Sequence, residues 1–209
     1  MTTRRWQAAL IAAALAIAGC ADSADDAGVV STPATTAPLL NSERIEQTFG
    51  SYGIEVLQQT ASERVSDLYS GMGAERTTRT FAVVTYPSTI ADAVAVEHET
   101  IVDGGSIGAT FRDAGWTIDK IDEYIGSLPA ADVPPTAFDL MNIEPDELAL
   151  HVYRFDVSRD GETIEYATIA ELHHPEYLTT EQLVEIFGES PTDAPALTLL
   201  SAINEAAAL

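Results

Sequence analysis

The sequence predicts an α+β domain in which an antiparallel sheet of about six strands carries helices mainly on one face. Three observations lead there. Short runs rich in β-branched and aromatic residues recur along the chain, separated by polar and glycine-containing stretches. The longest such segment, ELALHVYRFDVSRDGETIEYATIAELHH, sets two alternating runs on either side of Asp160-Gly161, a pair that suits a type I′ hairpin turn. Segments with helical spacing and capping residues lie between the strands.

Taken in order, SERIEQTFG reads as a short helix capped by Asn41 or Ser42, with Ile45 and Phe49 on one face and Gly50 ending it. Residues 53–58, 64–70 and 78–86 read as three strands, and TFAVVTY, nearly all apolar, is the candidate for a central one. Pro87 stops that strand, and Ser88 or Thr89 can cap a helix to about Asp103. Gly104 and Gly105 read as that helix's C-terminus, Ser106 as the N-cap of a second helix to Ala114, and Gly108 as a place of close packing. WTIDKIDEYI reads as a fourth strand. Two short turns follow, at 136–141 and 144–146, before the hairpin.

With Asp160 and Gly161 as the two loop residues, regular pairing sets Val157 opposite Ile164, Phe155 opposite Tyr166, Tyr153 opposite Thr168, His151 opposite Ala170 and Ala149 opposite Leu172. That arrangement predicts one core face and one largely wet face, the latter holding Arg154, Asp156, Glu165 and Glu171. Thr179 with Gln182 forms a capping box for the next helix. The last segment, ALTLLSAINEAAAL, reads as a helix with Leu197, Leu200 and Ile203 on one face, docked on its own domain.

The N-terminus has another character. Arg4 and Arg5 precede an apolar run from Ala8 to Ala18, the layout of a secretory signal and too short to span a bilayer. It closes on Ile17-Ala18-Gly19-Cys20, which resembles the lipobox of bacterial lipoproteins. The resemblance covers residues 1–20 and implies that residues 1–19 are a signal peptide, that Cys20 is diacylated, with fatty acids such as palmitate, and that this lipid anchors the chain. Cys20 is the single cysteine, so no structural disulfide competes for it. Residues 20–39, rich in Ala, Ser, Thr, Asp and Pro, read as a disordered tether, and residues 40–209 as one globular domain. Ala21 stands where an Asp would resemble an inner-membrane retention signal. The expectation is the outer membrane, facing the periplasm, where the source has two membranes.

The chain carries 10 basic and 33 acidic residues, and loss of Arg4 and Arg5 with the signal leaves 8 against 33, or −25. A field of that sign repels phosphate backbones, so nucleic acid is excluded as a partner. The only lysine is Lys120.

Chemistry is thinly signalled. Ser106 sits in a G-x-S-x-G, but the preceding AVAVEHETIVD is not the buried strand that a nucleophile elbow needs. His98 reads as a solvated helix position and His151 as a hydrogen-bonded core histidine. His173 and His174 end a strand and point to opposite faces unless Pro175 bends the chain. With Glu171 or Glu176 they are the candidates for a metal site, although no zinc spacing is present. No motif for a cofactor appears. These readings favour a non-enzymatic, lipid-anchored envelope protein that binds another envelope protein or a wall component. The alternative is an envelope hydrolase using Ser106 with His173 or His174.

Overall fold

The computed structural model of the chain describes residues 39–205. The expected signal segment, Cys20 and all of the expected tether but Leu39 lie outside those residues.

All six strands pair antiparallel in one sheet. They are β1 (Gly53–Gln59), β2 (Glu63–Ser70), β3 (Thr77–Thr85), β4 (Thr117–Pro129), β5 (Glu147–Arg159) and β6 (Glu162–His173), in the spatial order β1-β2-β3-β6-β5-β4. The apolar run TFAVVTY is central, as its composition requires of a strand covered on both faces. The helices are α1 (Asn41–Phe49), α2 (Ala95–Val102), α3 (Ile107–Asp113), α4 (Pro135–Met141), α5 (Thr180–Phe187) and α6 (Leu197–Glu205).

Successive residues of β3 show how the layers divide. Phe81 and Val83 pack with α4 and α6 through Ala137, Met141, Leu199 and Ile203. Ala82 turns the other way, to Ile45 of α1 and Leu183 of α5. Val84 joins it on that side, with Ile101 of α2 and Phe111 of α3. Four helices therefore cover one face and two the other. On the four-helix face Phe111 sits edge-on to Tyr166 with ring centroids 4.6 Å apart, a favoured aromatic geometry.

The hairpin turn forms as its residues dictate, with Asp160 at φ 55° and Gly161 at φ 84°, both in the left-handed region that a type I′ turn demands. Val157 meets Ile164 as expected, but the pairing then slips: Phe155 faces Ala167, Tyr153 faces Ile169 and His151 faces Glu171. A β-bulge between Phe155 and Asp156 leaves Tyr166 as the extra residue. Because side chains alternate with period two, this slip turns the rest of β6 over. Ile169, Glu171 and His173 join Tyr153 and His151 on the four-helix face, while Ala170 and Leu172 go to the face under α4 and α6. The wet face expected of the hairpin survives only near the turn, where Arg154 pairs with Asp156 at 2.8 Å. Glu171, expected in water, is 5% exposed.

A second bulge, between Asp122 and Tyr124 of β4, shifts the register of this edge strand after Lys120, which keeps the phase of Ile118. Ile121, apolar, points outward and is 43% exposed, while Lys120 points in beneath the helices. The expected helix after Pro87 starts late: neither Ser88 nor Thr89 caps it, and a 3-10 turn at Asp92–Val94 leads into α2. The packing of Ile90 and Ala91 against the core accounts for the delay. On α6, Leu199 and Ile203 are buried and Leu197 is exposed, so the buried stripe differs by one position from the expected one. The Thr179–Gln182 capping box is present, with the Thr179 N–H donating to Gln182 Oε1 at 2.9 Å.

Candidate functional site

The four-helix face is not closed. Between the sheet and the first turns of α1 and α3 lies a cavity of about 70 Å³, room for a few waters or a molecule of a few heavy atoms. Its walls are apolar where Leu40, Ile54, Leu68, Ile107 and Phe155 line it. Its polar groups are Arg64 and Ser66 from β2, Lys120 from β4, Tyr153 from β5, Glu171 from β6, Ser42 and Asn41 from α1, and Tyr52 and Ser106 from loops. A largely apolar pocket with a few convergent polar groups is the usual form of a small-ligand site. Beyond Lys120 and Glu171 lies a second space of about 10 Å³, reaching His173, Arg44 and Phe187.

Lys120 and Glu171 thus stand between two spaces. They carry opposite charge, yet no nitrogen–oxygen contact within 4 Å joins them among the described residues. The ammonium of Lys120 lies 4.2 Å from the centroid of the Tyr153 ring, within cation–π range. Burial pushes its pKa down, aided by the positive charges of Arg44 and Arg112, and Glu171 and Asp122 only partly offset this.

Glu171 is fixed from α1. Asn41, expected as a helix cap, is instead the first residue of α1 and donates through Nδ2 to Glu171 Oε1 at 3.0 Å and Thr80 Oγ1 at 3.2 Å. Tyr177 OH donates to Asn41 Oδ1 at 2.6 Å, which sets the amide's orientation. Burial by itself would raise the Glu171 carboxyl, but the positive charge of Lys120 foremost and the Asn41 hydrogen bond outweigh it and hold the pKa below its usual value. Burial is the main cause of the raised pKa of Tyr153 and of that of Tyr52, which reaches about 12.

Arg64 is 1% exposed and explains the DGGSIG turn. Its Nη1 donates to the carbonyls of Ile101 at 2.7 Å and Gly105 at 2.9 Å, and its Nε to Ser66 Oγ at 2.9 Å. The guanidinium thereby ties the last turn of α2, whose Ile101 carbonyl also accepts from the Gly104 N–H at 3.0 Å, to the Gly105 carbonyl beyond it. Gly104, at φ 106°, makes the turn, and a Cβ on Gly108 would lie 2.7 Å from Leu40 Cδ2, so a side chain there would have to displace Leu40.

Ser106 stands at the N-cap position of α3 with extended backbone, but its side chain makes no capping bond. It lines the cavity instead. It follows a helix, not a strand, and no hydrogen bond joins it to His173 or His174 among the described residues. His173 Nδ1 is bonded to Thr80 Oγ1 at 3.1 Å, its Nε2 is buried without a partner, and burial depresses its pKa to about 3. His174 Nδ1 accepts from the Glu176 N–H at 3.0 Å, and the Glu176 carboxylate pairs with Arg79 at 3.2 Å. Glu171 and His173 therefore share a face while His174 and Glu176 are held elsewhere. Among the described residues no three His, Cys, Asp or Glu side chains converge as metal ligands would.

His151 is a core histidine as expected, bonded through Nε2 to Asp122 Oδ1 at 2.8 Å. His98 is not solvated as expected: its Nδ1 pairs with Tyr166 OH at 2.9 Å and its ring meets Tyr86 edge-on.

No protein-family model and no curated protein matches the chain.

Sequence reasoning missed Lys120, Arg64 and Tyr52 as site residues. One signal for Lys120 was present: a chain with 10 basic residues uses lysine once, and does so in a strand.

Proposed function

We propose that the chain is a lipid-anchored bacterial cell-envelope protein, held to the membrane through Cys20, and that it acts as a binding module whose ligand enters the cavity beneath α1 and α3. The observation that carries this reading is the standing of Lys120 and Glu171 at one cavity, oppositely charged and out of contact. A buried carboxylate beside a half-buried ammonium with which it does not pair leaves both incompletely satisfied, and a ligand that bridges them offsets that cost. Four of the eight basic side chains beyond the signal segment, Arg44, Arg64, Arg112 and Lys120, gather around these spaces, against the acidity of the rest. A ligand with an electron-rich polar group and an apolar part suits such walls. The tether composition allows the domain to reach a partner or wall component away from the bilayer.

The anchor is tested by metabolic labelling with an alkynyl fatty acid, which should mark the wild-type chain and not Cys20→Ala; equal labelling of both would remove it. The binding role is tested by crosslinking the full lipidated protein in its own membrane, followed by mass spectrometry. A reproducible envelope component is the expected product, and an empty capture contradicts the reading.

A further inference from the structure

We propose that Lys120 is a nucleophilic amine that takes small aldehydes or ketones as an imine within the cavity, with Glu171 moving the proton. The inference rests on the reading of this cavity as a ligand site and adds the chemical class of its ligand.

The geometry points to an amine that reacts, not one that merely pairs. Lys120 is half-buried, makes no hydrogen bond or ion pair among the described residues, and stacks over Tyr153. Every other basic residue in the chain is arginine, which cannot give up its proton under ordinary conditions. Lysine appears only where the pocket opens. The groups around it are Asp122 on its own strand, Tyr153 and His151 on β5, and Glu171 and His173 on β6. Arg44 reaches it from α1 and Arg112 from α3. The two arginines and the apolar walls favour the neutral amine, and the carboxylates only partly oppose them.

The step balances without an oxidant or reductant. The neutral amine attacks the carbonyl carbon, a carbon–nitrogen bond forms, and the carbonyl π pair moves to oxygen. Glu171 takes a first proton from nitrogen and passes it to the oxygen, giving the carbinolamine, then carries the second amine proton to the same oxygen, which leaves as water as the carbon–nitrogen double bond closes. The space of about 70 Å³ limits the carbonyl compound to a few heavy atoms inside.

Because the chain has one lysine, the test reads a single side chain. The full chain in detergent micelles is incubated at pH 7 with acetaldehyde and cyanoborohydride, with an Nα-acetyl-lysine amide as internal standard. Mass spectrometry then follows the peptide that contains Lys120. An ordinary lysine is neutral in only about one part in 2,500 at this pH, so capture that outruns the standard reports a larger neutral fraction. Capture at Lys120 should run about tenfold or more faster than at the standard, disappear in Lys120→Arg, and slow severalfold in Glu171→Gln checked for an unchanged melting transition. Capture no faster than the standard overturns the proposal, as does a Glu171→Gln rate equal to wild type. If membrane crosslinking yields a partner while Lys120 stays unreactive, this inference falls and the binding reading stands.

Discussion

Glu171 of β6 stands directly opposite His151 of β5, one place out of the pairing that a regular hairpin from Asp160-Gly161 would give. That single slip brings a carboxylate onto the four-helix face, beside Lys120 and within reach of Asn41. The pocket's electrostatics follow from it.

The buried histidine next to this carboxylate makes stability depend on pH. An unfolded histidine takes up its proton near 6.5, whereas folded His173 resists protonation down to about 3. Between those values the unfolded state binds more protons, so stability is complete above 6.5 and falls as the pH falls. His98 and His174, also depressed, act in the same direction. The expected result, from urea unfolding at pH 6.5, 5.5 and 4.5, is that His173→Asn loses about 1 kcal/mol per pH unit less than wild type. Parallel pH profiles would contradict it.

Asn41 joins α1 to the sheet. Asn41→Ala removes the donor to Glu171 and Thr80 and the acceptor of Tyr177 OH. It leaves buried polar groups without partners, and chemical denaturation should show a loss of about 1–3 kcal/mol. Ser42→Ala, one residue on, gives the reference for a change at the same helix end.

A second buried polar contact closes the far end of the face. Trp116 Nε1 donates to Glu97 Oε1 at 2.8 Å while the Arg159 guanidinium stacks 4.0 Å above the indole. Glu97→Ala should cost about 1–3 kcal/mol through the orphaned indole N–H, and Glu97→Gln, which keeps an acceptor, should cost distinctly less.

The DGGSIG turn separates space from hydroxyl chemistry. A Cβ on Gly105 would come within 2.8 Å of the Thr100 carbonyl oxygen, a backbone atom that cannot step aside. Gly105→Ala is expected to lower stability by about 1–3 kcal/mol, as overpacking does. Ser106→Ala removes no cap and should change stability by less than about 1 kcal/mol. A larger loss at Ser106 than at Gly105 would reverse this account of the turn.

Much of the fold was legible in the sequence because its signals are local. Asp160-Gly161 sets the hairpin, Thr179 and Gln182 set the start of α5, and TFAVVTY identifies the central strand. The carboxylate side of the site was not legible, because it depends on a bulge: in GETIEYATIAELHH Glu171 reads as the polar phase of a regular strand. Lys120 shares the phase of Ile118 in WTIDKIDEYI, so its inward turn was legible and was missed. The bulge at Phe155 leaves Tyr166 packed against Phe111, a contact between distant parts of the chain. Asn41 was read as a cap for a similar reason: its partner, Glu171, lies far along the sequence.

The most direct test of the central claim places a photo-crosslinking residue at Ser42, on the rim of the cavity, and separately at Asp139 of α4, on the opposite face of the sheet. Both forms are kept as full, lipidated chains in their native membrane. The account predicts a reproducible adduct from position 42 that position 139 does not give. Equal capture from both faces, or capture from position 139 alone, would contradict it.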